Sequence, residues 1–243
     1  MLILKLSAID STNVFLKQWV QETKAFSAVG VWAEHQTQGR GRRDTKWQSD
    51  KGLNLTGSVY IGDLSINRQD LFDINKRVCL AIIHILEPFK IPKLSIKWPN
   101  DILSGDKKLG GVLIEPFFKG NKITGVVVGC GINVNQRNFP ALPCATSIHI
   151  SKNVDVEIEP LFESLANQIE TNLQLNPLDD DLYNNLLYGY NKIVSFTRPD
   201  ASVFSARIKG ISKNGQLQLV HSDGTVEEVV EKALAFTAFS HCQ

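Results

Sequence analysis

Residues 93 to 135 constrain this chain most. Three β-rich runs follow one another there, KLSIKWPNDIL, KKLGGVLIEPFF and KITGVVVGCGINVN, with only the turn-forming SGDKK and KGNK between them. Connections that short join antiparallel neighbours, because parallel neighbours need a crossover of a dozen residues or more. The spacing predicts consecutive antiparallel strands of one sheet.

Helical and strand patterns flank this meander. DSTNVFLKQWVQE opens on the cap residues Ser11, Thr12 and Asn13 and continues with Val14, Phe15, Trp19 and Val20 at helical spacing, which predicts a capped amphipathic helix. AVGVWAEHQ reads as a buried strand ending at His35 and Gln36, and LNLTGSVYI as a second strand. LFDINKRVCLAIIHILEPF has a 3.6-residue period and stops at Pro88, and residues 160 to 190 return to helix. From about Lys192 the texture changes to short strands and tight turns. Asn214-Gly215 and Asp223-Gly224 are hairpin signals, since both turn positions must tolerate positive φ. The expectation is a large α+β domain over 1–191, with a mixed or antiparallel sheet, and a small β-barrel over 192–243 without a long linker.

Charge narrows the partners. Lys and Arg total 26 against 25 Asp and Glu, so no global field draws the chain onto nucleic acid or an anionic membrane. No signal-peptide pattern or membrane-length apolar run is present, and a cytoplasmic protein is expected. Cys79, Cys130, Cys144 and Cys242 are scattered without a CxxC pair, which predicts reduced thiols rather than a zinc site or disulfide framework.

Four stretches carry chemistry. HQTQGRGRRDTKW places Arg40, Arg42 and Arg43 among glycines, so guanidinium forks and backbone N–H groups can meet one anion. A phosphate ligand is the sharp reading; a solvated basic loop or a nucleic-acid contact is the plain one. KWPNDIL gathers Lys97, Asn100 and Asp101 at a bend that Pro99 forces, though a simple turn also uses Pro-Asn-Asp. Lys108 precedes LGGVLIE, eleven residues beyond Lys97, and a hairpin of that span can bring both runs to one site. In GCGINVN two glycines suit a flat ligand against the backbone and Asn133 offers the donor and acceptor an adenine edge needs, but a strand-ending bulge fits equally.

DSTN, the Gln36–Trp47 loop, KWPNDIL, KKLGGVLIE and GCGINVN occur in an order and spacing that resembles the bacterial biotin protein ligases, over nearly the whole chain. The resemblance implies a class II synthetase-like catalytic domain followed by an SH3-like barrel, in the short monofunctional type without an N-terminal DNA-binding domain. It implies two steps. Biotin and ATP, with Mg2+, give biotinyl-5′-AMP and pyrophosphate; a lysine of the biotin carboxyl carrier protein of acetyl-CoA carboxylase then takes the biotin and releases AMP. By the same resemblance Ser11, Thr12, Asn13, Gln36, Gly39, Arg40, Gly110 and Gly111 bind biotin. Arg42, Arg43, Trp47, Asn100, Lys108 and Asn133 bind nucleotide, and Arg42, Lys97, Asp101 and Lys108 are catalytic.

An acceptor lysine with pKa ~10.4 is neutral about once in 2,500 at pH 7, which a nearby carboxylate such as Asp101 partly offsets. Relatives commonly continue GRGRR with Gly and Arg, whereas Asp44 and Thr45 stand here. A monomer or weak homodimer is expected. The rival readings are a lipoate or octanoate ligase or transferase of the same fold, and a nucleic-acid-binding protein.

Overall fold

The structure, a computed structural model, describes residues 1–24, 28–42, 45–174 and 178–242, the last three as backbone only. Eight strands form a mixed sheet: β1 (Leu2–Leu6), β2 (Val29–Ala33), β3 (Asn54–Ile61), β4 (Ile66–Asn67), β5 (Leu94–Lys97), β6 (Asp101–Ser104), β7 (Lys107–Lys119) and β8 (Lys122–Asn133). Their order is β1-β2-β3-β8-β7-β6-β5, with β4 beside β8. The predicted meander is β5 to β8, all antiparallel. KWPND is two strands with a turn between them, because the missing proline N–H interrupts the ladder.

The N-terminal strand is absent from the expectations above. β1 pairs in parallel with β2, and the pairing continues as an Ile9–Gln36 bridge. That extension brings the start of helix α1 (Thr12–Thr23) beside the end of β2, so two motifs 24 residues apart become neighbours.

Alternation along the central strands sorts the rest. Leu55, Val59, Val126, Val128 and Ile132 belong to the main core, formed with helices α2 (Leu71–Leu86) and α4 (Ile158–Gln174). Tyr60 and Val127, on the other face, pack with Leu16 and Val20 of α1. Helices α3 (Ile148–Lys152) and α5 (Asp180–Leu186) are short; α3 follows the meander and was not expected.

The last strands, β9 (Ile193–Thr197), β10 (Val203–Ile211), β11 (Leu217–Val220), β12 (Val226–Val229) and β13 (Ala235–Phe236), form one antiparallel sheet in the order β12-β11-β10-β9-β13. Among the described residues no pairing joins β12 to β13, so a closed barrel is not found. The two hairpin turns stand where expected, but Gly215 and Gly224 alone of each dipeptide take positive φ. The loops are therefore wider than the two-residue turns predicted, closing through Ser212 to Gln216 and His221 to Thr225. The smaller sheet is docked: the Trp98 indole donates to Gly215 O at 2.9 Å, Gly215 lies against Phe72, and Phe196, Ile208 and Leu219 belong to the same core as α2.

Candidate active site

One row of the sheet register builds the floor. Thr56, Gly131, Gly111, Asp101 and Lys97 lie side by side across β3, β8, β7, β6 and β5. The two glycines leave the middle of the row without side chains, and a cavity of about 250 Å³ stands over it. In the next row Gly129 is kept small by Asn13, whose Oδ1 would lie 2.3 Å from an added Cβ. Gly131 is covered by the Trp47 indole at 2.4 Å from where a Cβ would be. The flat group resting on GCG is thus the protein's own tryptophan.

A register shift between Ile102 and Leu103 sets Lys108 opposite Leu103, and its side chain reaches the Gly111 face. A bulge is a common device for re-aiming a side chain at a site. Lys108 Nζ meets Asp101 Oδ1 at 2.6 Å, and Lys97 Nζ meets Asp101 Oδ2 at 3.4 Å. Burial would raise the Asp101 carboxyl, but Lys108 and Lys97 outweigh it and hold the pKa below its ordinary value. Asp101 is therefore a firmly ionised clamp between two ammonium groups and a weak base in the resting protein. Asn100 fixes the turn: its Nδ2 donates to Val112 O and its carbonyl accepts from Val112 N.

The other end of the cavity is neutral and closely bonded. Ser11 occupies the cap position of α1 but makes no side-chain cap bond; Gln36 caps instead, its Oε1 accepting from Thr12 N at 2.8 Å. That contact orients the Gln36 amide. The Ser58 hydroxyl sits between Thr12 Oγ1 and Asn13 Oδ1, and Asn13 Nδ2 donates to Glu115, which also pairs with Lys17.

The described parts of the glycine-arginine loop are tied together by an Arg40–Lys46 bridge and a bond from Trp47 N to Gly39 O. Thr45 Oγ1 donates to Arg42 O and rests on Gly41. The Arg42 guanidinium pairs with Glu231 through Nη2 and Nε. Arg43 and Asp44 lie outside the described residues.

Of the expected residues, Ser11, Thr12, Asn13, Gln36, Arg40, Arg42, Trp47, Asn100, Asp101, Lys108 and Gly111 line this cavity. Lys97 and Asn133 line an adjoining one of about 290 Å³, sharing Trp47, Asp101 and Lys108 with the first. Gly39 and Gly110 are buried supports, Gly110 lying against Gly131 O. Asn133 gives its amide hydrogens to Thr146 O and Lys108 O, so it can offer a base its carbonyl acceptor rather than a donor–acceptor pair.

Sequence reasoning missed Ser58, Glu115, Glu231 and Lys232. Ser58 had a signal: Asn54, Thr56 and Ser58 put polar groups on one face of a strand buried throughout. Cys79 and Cys130 are free and buried, with the Cys130 thiol pushed up to about 12 by burial. Cys144, in the wall of the second cavity, is disulfide-bonded, contrary to the expectation of reduced thiols.

Residues 6–133 match the sequence model of the Biotin/lipoate A/B protein ligase family, more than half of the chain. The chain belongs to this family. The bifunctional ligase/repressor BirA of Escherichia coli is 35% identical over 132 residues, covering 54% of this chain and 40% of that protein. The biotin–[acetyl-CoA-carboxylase] ligase of Mycobacterium tuberculosis is 32% identical over 144 residues, covering 57% and 51%. The match thus spans about half or less of these relatives' length. The fold matches that of the biotin protein ligase from Aquifex aeolicus in complex with biotin and ATP, with a TM-score of 0.77 at 24% identity, over 96% of this chain and 97% of that one. Among the described residues no helix is long and apolar enough to cross a membrane.

Proposed function

We propose that this member of the family is an ATP-dependent biotin protein ligase. It activates biotin as biotinyl-5′-AMP and transfers the acyl group to a lysine of the biotin carboxyl carrier protein of acetyl-CoA carboxylase. The observation that carries the reading is the junction of the two cavities, where Lys108, Asp101 and Trp47 are shared between a chamber with a neutral hydrogen-bonding end and a second chamber. A ureido ring needs fixed neutral donors and acceptors, which Ser11, Thr12, Asn13, Gln36 and the Gly39–Arg40 backbone supply in the first chamber. A nucleotide fits the second, against Trp47 and Asn133, with Asn100 beside it at the junction; Gly110 and Gly111 are read as backbone for the biotin side.

At the junction a biotin carboxylate oxygen attacks the α-phosphorus, the bond to the β-phosphate oxygen breaks, and pyrophosphate leaves. Two anions must approach each other, and Lys108 and Arg42 offset that repulsion most as charge builds on the phosphoryl oxygens. In the second step the acceptor lysine loses a proton to solvent, its free amine attacks the acyl carbon, AMP leaves with the bonding pair, and the new amide nitrogen releases its second proton to solvent. Asp101 attracts the incoming ammonium and keeps Lys97 and Lys108 in place.

ATP brings Mg2+ on its phosphates. Among the described residues no group of three His, Cys, Asp or Glu side chains is placed to hold a metal, and Asp101 is committed to two lysines, so no step is routed through a protein-bound ion. The smaller sheet is read as an SH3-like barrel domain over 192–243, attached to a catalytic domain over 1–191. The protein is taken as cytoplasmic, monofunctional, without specific DNA binding, and a monomer or weak homodimer.

ATP–pyrophosphate exchange with biotin, lipoate and octanoate compared side by side tests the reading. Exchange dependent on biotin is expected. Exchange driven by lipoate or octanoate but not biotin moves the protein to the other branch of its family.

A further inference from the structure

Glu231, two residues beyond the end of β12, brings an acid into a chamber that must receive anions. Glu231 and Lys232 both line the first cavity, 189 residues away in sequence from the arginine that Glu231 meets. The Glu231 carboxylate engages Arg42 Nη2 at 2.5 Å and Nε at 3.4 Å, which is one of the two paired-donor edges of a guanidinium. Neither side chain is dry, with 33% of Arg42 and 21% of Glu231 exposed. The contact sits at the cavity wall rather than inside the packed core. A bare carboxylate there would repel incoming phosphate and carboxylate groups. Arg42 neutralises it, but the same fork is then occupied on the edge a phosphate or carboxylate would use.

We propose that Glu231 is a positioning residue that acts as a placeholder anion: it holds the Arg42 fork at the cavity in the empty protein and yields it to the substrate anion. The strand connection around residue 231 thereby reports occupancy of the site, because the segment gives up its contact with Arg42 when the anion arrives. The identity of that anion rests on the ligase reading; the exchange of one carboxylate for another anion on Arg42 does not.

A merely structural strut gives the opposite kinetic sign. Half-exposed ion pairs shift an equilibrium by up to about fivefold, so removing the competitor charge in Glu231→Gln should lower the KM of both acid and ATP in adenylation by roughly three- to fivefold. Glu231→Ala should do the same, with kcat changed far less than KM. Hydrogen exchange of residues 226–236 gives the independent readout. In the unmodified protein, ATP should speed exchange there; in Glu231→Gln exchange should already be fast without ATP, and ATP should add nothing.

A KM that rises or stays put in both variants, or exchange at 226–236 that ignores ATP in the unmodified protein, overturns the proposal. If none of the three acids supports pyrophosphate exchange, the ligase reading falls, and the ATP-only exchange measurement still decides the role of Glu231.

Discussion

The two ends of the first cavity are built on opposite principles. At the neutral end Ser11, Thr12, Asn13 and Ser58 are between 0 and 4% exposed, and Thr12, Asn13 and Ser58 are bonded to one another or to Gln36 and Glu115. At the ionic end Lys108 is 41% exposed, Arg42 meets Glu231, and Lys108 meets Asp101, which it shares with Lys97 of the adjoining cavity. A buried hydrogen-bond network is fixed in geometry and punishes any ligand that leaves a partner unmade, which suits recognition. Paired charges at a wet wall can exchange partners at modest cost, which suits a reaction in which charge moves. The difference implies that substitutions at the first end should act on binding, and that removing the cations at the second should act on rate.

The largest break in that comparison is expected from Lys108→Ala. Adenylate formation should fall by about 10²- to 10³-fold, with a much smaller change in ATP binding, because the charge matters most as the phosphoryl oxygens gain it. Single-turnover formation of adenylate beside equilibrium nucleotide titration separates the two. A loss in affinity matching the loss in rate would place Lys108 at the recognition end.

Next comes Arg42→Ala, which should form the adenylate more slowly and release it about ten- to a hundredfold faster, as for loss of a charge-assisted contact of roughly 1.5–3 kcal/mol. Blotting a bystander protein without any carrier domain for biotin shows the leak. A bystander as clean as with the unmodified enzyme, while adenylate still forms, removes the retention role.

Gln36→Ala should raise KM for the acid by about tenfold while leaving the rate at saturation within a few-fold, since the lost bond is neutral and made equally in ground and transition states. Steady-state adenylation with varied acid measures this. A fall in kcat with unaltered KM would dissolve the distinction between the two ends.

A smaller effect is expected in stability. The Asp101 pKa is depressed in the folded protein, so its contribution is present above the unfolded carboxylate value of ~3.9 and is lost as pH falls through the folded value. The stability gap between the unmodified protein and Asp101→Asn should be level from pH 7 to about 5 and close below about 4. Denaturant unfolding across that range checks it; a gap that widens on acidification contradicts the depressed pKa. Least of all should change with thiol reagents. With its pKa at about 12 and 3% of its surface exposed, Cys130 should resist alkylation at pH 7.5 unless the protein is unfolded.

How much of this was legible in the sequence follows from the range of the interactions. The meander, α1, α2, α4 and the strands β2 and β3 were readable because their patterns are local: alternation, a 3.6-residue period, and turns such as SGDKK. β1 was not, because a five-residue parallel edge strand has no turn to announce it and partners a strand beyond a helix. The residues of the site came largely from motifs, but their pairing did not. Nothing near Glu231 in the sequence points to Arg42, and nothing in GCG distinguishes a bound ring from the indole of Trp47. Asn133 shows the converse error, since a side chain that could read a base is mostly engaged by two backbone carbonyls, one from the start of β7 and one from the segment ahead of α3.

The bond from the Trp98 indole to the Gly215 carbonyl spans 117 residues and anchors the KWPND turn, which carries Asp101, to the smaller sheet. During synthesis the turn emerges long before its anchor. A nascent chain carrying every motif through residue 135 still lacks the contact that seats them, and its unpaired apolar surface stays open until the final strands are translated. The protein therefore passes through biosynthesis without a finished active site, and premature termination within the last fifty or so residues should yield aggregating chains rather than slow enzymes.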